Sequence, residues 1–381
     1  MKVAHFLSYY PGLDGLTSFC RGLGAAFREV EGFEVPIVSF RAKPVVNGEG
    51  ERVPVVVKFP HRQRHPFDVP SSLLAAFDDG RLILDGAVLH GTFSPQVYSL
   101  ARVFVKRGIP YIFMPHDPYV KALVQHRAVR KFAYWHLFEK WVIRHSSAVQ
   151  LLSSSHEEPL RRRGCQTSVY VLGNGCDPRD LGKVADDARV PGREGDFVIQ
   201  YLGRMDRNHK GLDLLIRGFS EFLKKIPAES AVRLVLSGND WVDRPFLEAL
   251  SRELHLGHKV VFTGRLPEHA VAIHSRADLS VLCSRFDGYG LTILEAMVAG
   301  RPVLVSKAAG VSTEVEKAGA GFVVDPQVEE IAKGLWAAWN ARGQLEAMGR
   351  SGRSHVVEHL AWRRIAERSA KIYAEVFGRS N

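Results

Sequence analysis

SRFDGYGLTILEAMVAGRPVLVS, residues 284–306, sets an acid, Asp287, before the glycines Gly288 and Gly290, and a second acid, Glu295, eight positions after the first. The apolar run LSVLCS ahead of it reads as a buried strand, LTILEAMVAG as a helix, and PVLVS as the next strand. Strand, glycine turn, helix and strand in that order form the repeating unit of a parallel sheet covered on both faces. The glycines let the backbone bend tightly and aim amide N–H groups at a ligand in front of a helix N-terminus, which suits an anion or a sugar. Glu295, about one turn into that helix, is placed to accept hydrogen bonds from two neighbouring ribose hydroxyls. A plainer reading competes: Thr292-Ile-Leu-Glu295 also fits a capping box, in which the Glu only satisfies a backbone donor. Gly300 followed by Pro302 is an ordinary helix stop.

A second loop weighs against the plainer reading. YLGRMDRNHKGLDLLIRGF puts Gly203 and Arg204 at a strand end and Lys210 just before Gly211 and an amphipathic helix. Two cations flanking one turn, on the sheet edge that carries the glycine loop, can stabilise the charge of a leaving diphosphate without reorganising.

The pattern extends over the whole chain. VAHFLS, VPIVSF, AVLHGTF, PYIFMPH, AVQLLS and VYVLGN predict a first parallel sheet. After residue 196, FVIQYLG, RLVLSG, KVVFTG, LSVLCS, VLVS and GFVV predict a second. The fold class is α/β, with two doubly wound domains and an expected ligand cleft between them. The expected first domain is 1–178, the polar linker 179–196, the second domain 197–360 and a closing helix 361–381. A length of 381 residues agrees with two domains of ordinary size.

Composition narrows the class further. At 46% hydrophobic and 24% charged residues, the chain has the make-up of a soluble globular protein. Cys20, Cys165, Cys176 and Cys283 are scattered, with no CxxC pair, so neither a disulfide framework nor a zinc site is expected, and the expected compartment is the cytoplasm. No apolar run is long enough to span a membrane and no signal peptide is read at the N-terminus. Of the net charge of +10, residues 1–180 carry +7, and residues 101–163 hold 12 basic against 4 acidic residues beside Tyr134, Trp135 and Trp141. A solvated helix face explains that cluster, and so does a surface meeting an anionic membrane or acceptor.

With these motifs in place, the chain resembles glycosyltransferase family 4, of GT-B fold. GR, five residues and KG are followed by acid, seven residues, Glu within GYGLTILEAMVAGRPVLVS. PHDPY, the Trp-rich basic helix, SSSHEE, GNGCD, FTGRL and AWRRIAERSAKIY fall in the family's order. The resemblance implies Rossmann-like domains and transfer of a sugar from a nucleoside diphosphate, with retention of configuration. It implies that Arg204 and Lys210 hold the donor diphosphate, Glu295 the ribose and Asp287 a hydroxyl of the donor sugar. The amides of Gly288, Tyr289, Gly290 and Leu291 would surround sugar and phosphate, and Leu266 would lie beside the nucleobase. His116 would face the anomeric carbon, Gly15 would let the first loop approach the diphosphate, and the final helix, with Trp362, would cross back to the first domain. Asp287 stands where the family usually has Glu, and Gly12 and Gly15 are separated where the family has adjacent glycines.

No Asp-x-Asp occurs, and basic side chains can do for a diphosphate what a divalent cation does, so neither a metal nor another cofactor is expected. The expected acceptor is a polysaccharide or lipid-linked glycan, with a small natural product as the alternative. A glycan phosphorylase would need a lysine-bound pyridoxal phosphate, and an epimerase fits the GR…KG loop poorly. Nucleic-acid binding is the remote alternative: the basic residues gather on one helical segment without a recognised nucleic-acid motif.

Overall fold

The computed structural model describes residues 1–7, 15–40, 54–59, 64–116, 119, 128–177, 195–238 and 243–378. Gly12, Asp117, the basic stretch 121–127 and linker residues 179–194 lie outside the described residues.

The chain forms two compact units, one of Met1–Gly175 with Ala361–Asn381, the other of Cys176–Leu360. In the first, seven strands run β1 (Val3–Leu7), β2 (Ile37–Ser39), β3 (Val56–Lys58), β4 (Gly86–His90), β5 (Tyr111–Met114), β6 (Ala148–Leu151) and β7 (Val169–Val171). Their order is β3-β2-β1-β4-β5-β6-β7, and the pairings are parallel, His5 against Val88 and Ile37. Six of the seven match the apolar runs read from sequence. The edge strand β3 was not read from sequence: its apolar run VPVVV contains a proline and gives a strand of only three residues, half-exposed at the sheet edge.

The second unit holds β8 (Phe197–Leu202), β9 (Val232–Ser237), β10 (Val260–Gly264), β11 (Leu279–Leu282), β12 (Val303–Ser306) and β13 (Gly321–Val324), in the order β10-β9-β8-β11-β12-β13. This is the dinucleotide-binding order 3-2-1-4-5-6 with every pairing parallel. Each sheet reverses direction once, between β1 and β4 and between β8 and β11. In sheets of this kind such a switch point is where a crevice for ligand forms.

Helices cover both faces because the strands are apolar on both. Helix Leu212–Leu223 buries Leu212, Leu215, Ile216, Phe219 and Phe222, the i, i+3, i+4, i+7 stripe of a core-facing helix. Gly218 on that stripe lets helix Val328–Asn340 come close: a Cβ there would stand 2.7 Å from Ile331 Cγ2. The final helix, Trp362–Phe377, belongs to the first unit and buries Ile365, Ala366, Ala370, Tyr373 and Phe377. Phe377 lies on Gly86 at the start of β4, where a Cβ would meet the ring at 2.6 Å, and Tyr373 stacks on Phe27 at 5.7 Å.

Candidate functional site

The β8/β11 switch point is where the two sequence motifs meet. The first loop leaves β8 at Gly203, whose N–H donates to the Ser237 carbonyl (3.0 Å). Tyr201 donates its O–H to the Arg204 carbonyl (2.7 Å); burial raises that hydroxyl's pKa well above the usual tyrosine value and keeps it a donor. Asp206 caps the short helix Arg207–Lys210 by accepting the His209 N–H (3.0 Å). The helix ends on Gly211 at φ +63°, hard against β11: a Cβ there would sit inside the carbonyl oxygen of Cys283. The glycine after Lys210 is therefore a close-approach residue that brings the lysine over the end of β11.

The second loop is tied to the first. Arg285 donates its backbone N–H to the His209 carbonyl (2.8 Å), and its guanidinium donates to the Arg207 carbonyl (2.6 Å) and to both Asp213 carboxylate oxygens (2.7 Å each). Beyond it, Asp287 N–H donates to the Ala308 carbonyl (3.0 Å) and Val311 N–H to the Tyr289 carbonyl (2.8 Å), so residues 287–289 run as a short ladder beside 308–311. The positive φ of the glycine pair falls on Gly290 (+99°), which leads into helix Leu291–Val298; a Cβ there would stand 2.8 Å from Leu282 Cδ2.

These two clamps bring Lys210 and Asp287 into contact. Lys210 Nζ donates to Asp287 Oδ2 at 2.6 Å, with side-chain exposures of only 19% and 13%. Ser284 Oγ stands 3.4 Å from the same oxygen, and Tyr289 N–H donates to Oδ1 (3.3 Å). Arg204 is exposed at the mouth of the first loop, Gly288 is half-buried, Tyr289 is buried, Leu291 opens the helix and Glu295 lies half-buried one turn in. Leu266 follows β10 and is half-buried at the sheet's edge.

The capping-box reading of Thr292 and Glu295 does not hold. The N-cap is Gly290, with no side-chain cap bond, and Thr292 is already the second helical residue. Its Oγ1 instead lies 3.0 Å from His274 Nε2, and His274 Nδ1 lies 2.9 Å from Ser280 Oγ, so one buried imidazole links two helices and β11. Burial lowers its pKa to about 3, and it stays neutral. Thr292→Val leaves a ring nitrogen unpaired and is expected to cost about 1–2 kcal/mol in urea unfolding.

Gly211→Ala combines a strained αL backbone with a backbone clash, and is expected to cost about 2–4 kcal/mol by the same measurement. A loss under about 0.5 kcal/mol would mean that the close approach is not obligatory.

Gly15 and His116 lie in the first unit, Gly15 exposed at the start of helix Gly15–Ala26 after β1, His116 after β5 at φ +63°. The sequence singles out His116 but not His90, and the structure joins them: His116 Nε2 lies 2.7 Å from His90 Nδ1. Sequence reasoning also missed Glu139, buried in a π-helical turn (Trp135–Glu139), which accepts the Phe93 N–H (3.0 Å) and the Tyr119 O–H (2.8 Å) and is pushed by burial up to about 7. A Glu amid basic and aromatic residues gave no signal that it faces inward.

Two family models match the chain: "Glycosyl transferase 4-like domain" over residues 14–175 and "Glycosyl transferases group 1" over residues 184–355. An uncharacterized glycosyltransferase of Methanocaldococcus jannaschii is 28% identical over 226 residues, covering 56% of this chain and 56% of its own. The chain spans about half the length of the curated relatives it matches. Among solved structures, sucrose-phosphate synthase from Thermosynechococcus elongatus superposes with a TM-score of 0.76 at 21% identity over 99% of both chains. HepE of Anabaena, solved with UDP and glucose, gives 0.71 at 18% identity over 98% of this chain and 100% of that one. At those identities the likeness is one of fold.

Proposed function

Because the chain belongs to glycosyltransferase family 4, of GT-B fold, we propose that it moves a sugar from a nucleoside diphosphate to an acceptor hydroxyl with retention of configuration. The observation that carries this reading is the Lys210–Asp287 pair, held by two interlocked loops at the switch point of the second sheet. Lys210 is already largely out of water. An incoming diphosphate offers it more negative charge than one carboxylate does, so Lys210 can turn to the phosphates and release Asp287 to a hydroxyl of the donor sugar. Arg204 supplies the second cation from the exposed side of the same loop. Glu295 takes the ribose, and the backbone from Gly288 to Leu291 lines the sugar and phosphates. Leu266 takes the base.

In the first unit, His116 and the loop opened by Gly15 serve the reacting end of the sugar. As the bond to the leaving phosphate breaks, negative charge grows on its oxygens, and fixed cations stabilise it at no cost in reorganisation. The leaving phosphate itself takes the acceptor proton on the face it departs from, which gives retention. The charge is met by Arg204 and Lys210, so the reaction needs no divalent metal.

The acceptor reading is a polysaccharide or lipid-linked glycan presented at an anionic membrane face, the cytoplasmic one. It is supported by the segment Ala128–His145, where Val129, Phe132 and Leu137 are exposed at 86%, 65% and 65% among the exposed Arg130, Lys140 and Arg144. Apolar side chains can enter a headgroup layer that the cations hold. Among the described residues no helix is long and apolar enough to cross a membrane. Cosedimentation with vesicles containing anionic lipid, lost with zwitterionic vesicles and in Phe132→Ser/Leu137→Ser, is the expected result.

The donor is tested by thermal shift of the folded protein with UDP, GDP, ADP, dTDP and CDP and their sugar conjugates, in EDTA. A ligand at 100 times its Kd stabilises by about 2.7 kcal/mol. A shift with one nucleotide names the base; no shift with any of them removes the donor reading.

A further inference from the structure

Behind His116 stands a row of buried polar groups that the reaction above does not use. His90 Nε2 lies 2.9 Å from His5 Nδ1, and His5 Nε2 lies 3.0 Å from the Tyr373 hydroxyl. With the His90–His116 contact, this makes an unbroken chain from the final helix, through β1 and the end of β4, to the loop after β5. It crosses the β1/β4 switch point of the first sheet. His5 and His90 are 2% and 6% exposed, and burial holds all three rings neutral: His5 and His116 are lowered to about 3 and His90 well below the usual value.

A neutral imidazole has one donor and one acceptor nitrogen. A chain of three therefore has two settings only, with every N–H directed toward His116 or every N–H directed toward Tyr373. Tyr373 chooses between them. A phenol O–H is a much stronger donor than a neutral imidazole N–H, and a bare imidazole nitrogen is a much better acceptor than a phenol oxygen. Tyr373 thus donates to His5 Nε2, His5 Nδ1–H to His90 Nε2, and His90 Nδ1–H to His116 Nε2.

We propose that Tyr373, His5 and His90 are positioning residues that hold His116 as its neutral Nδ1–H tautomer, so that it meets its ligand as a hydrogen-bond donor and not as a base. The αL backbone of His116, costly for a residue other than glycine, is what the chain and the Phe19 ring 5.3 Å away hold in place. That the ligand is the donor sugar rests on the function proposed above; the tautomer does not.

The same rings suggest a metal site, since His5, Cys20 and His90 set three donor atoms within 4.8 Å of one another. The His5–His90 nitrogens at 2.9 Å are closer than the edge of about 3.3 Å that tetrahedral zinc requires at Zn–N bonds of about 2.0 Å. A direct hydrogen bond fits the distance better.

The experiment is a long-range proton–nitrogen correlation spectrum of the full chain labelled with 15N-histidine. Of the 16 histidines, three are expected to show a protonated Nδ1 and a bare Nε2 that do not change between pH 5.5 and 8. His90→Asn and His116→Asn assign two of them, and Tyr373→Phe is expected to move His116 toward the Nε2–H form. If the variants misfold, the wild-type spectrum still decides once the three rings are assigned by their proximity to the Tyr373 and Phe19 ring protons: His5, His90 or His116 titrating near pH 6.5, or fixed in the Nε2–H form, overturns the proposal. For function, His116→Asn keeps a donor near the Nδ1 position and tolerates φ +63°, so it is expected to retain at least 10-fold more turnover than His116→Gln. Should the three tautomers be as stated while His116→Ala turns over like wild type, the chain stands and the sugar contact of His116 falls.

Discussion

Replacing Lys210 with alanine is expected to lower turnover about 10²- to 10³-fold, the loss typical of removing one preorganised group from a site where negative charge develops. The structure makes the prediction sharper than a generic cation deletion. Lys210 and Asp287 are paired at 2.6 Å with little exposure, so removing the lysine also strands a carboxylate that water reaches poorly. Unfolding stability should fall too, by about 1–3 kcal/mol. The two effects separate in a double variant: Lys210→Ala/Asp287→Ala removes the stranded charge and should recover most of the stability while turnover stays low. Two contacting residues are expected to couple in this way. Full turnover in Lys210→Ala, measured with the nucleotide sugar that gives the thermal shift, would end the diphosphate role.

The fold was legible because its strands are buried on both faces. Runs such as VVFTG and LSVLC survive as nearly continuous apolar segments, and the turn residues between them are the glycines that the switch-point loops need. The site was legible where glycine and charge fall together, at Lys210-Gly211 and at Asp287 to Gly290, because a close approach of backbones forces glycine and leaves that trace in sequence. Contacts between remote side chains leave no such trace. Arg285 and Asp213 lie 72 positions apart, and nothing local marks them as the bidentate pair that locks the loops. Thr292 looked like a helix cap because spacing alone cannot tell an N-cap from a residue two positions into the helix. The histidine chain joins positions 5, 90, 116 and 373, and becomes visible only when parallel pairing sets β1 beside β4.

That chain also governs how the first unit meets acid. His5, His90 and His116 are neutral in the fold with lowered pKa values, while in the unfolded chain each binds a proton near pH 6.5. Below that pH the unfolded state holds more protons, so the stability is fully present above about 6.5 and drains away as pH falls toward the lower folded values, about 3 for His5 and His116. Each ring contributes a loss of about 1.4 kcal/mol per pH unit. Glu139 works the other way. Its carboxyl is raised to about 7, so the folded state takes up a proton that the unfolded chain does not bind until about pH 4.5, and stability rises as pH falls through that window. Three rings against one carboxyl leave a net loss that grows as pH falls below about 5 and reaches several kcal/mol near pH 4, a large part of the stability of a domain. The first unit is therefore expected to unfold cooperatively between about pH 5 and pH 4, before most carboxylates are protonated. Hydrogen exchange at the amides of β1 and β4 locates the event, and Glu139→Gln, neutral at every pH like the protonated carboxyl, should raise stability at about pH 7 while leaving the acid midpoint nearly unchanged. Protected β1 amides at pH 3.5 would mean that the three rings accept protons inside the fold, and that burial does not hold them neutral.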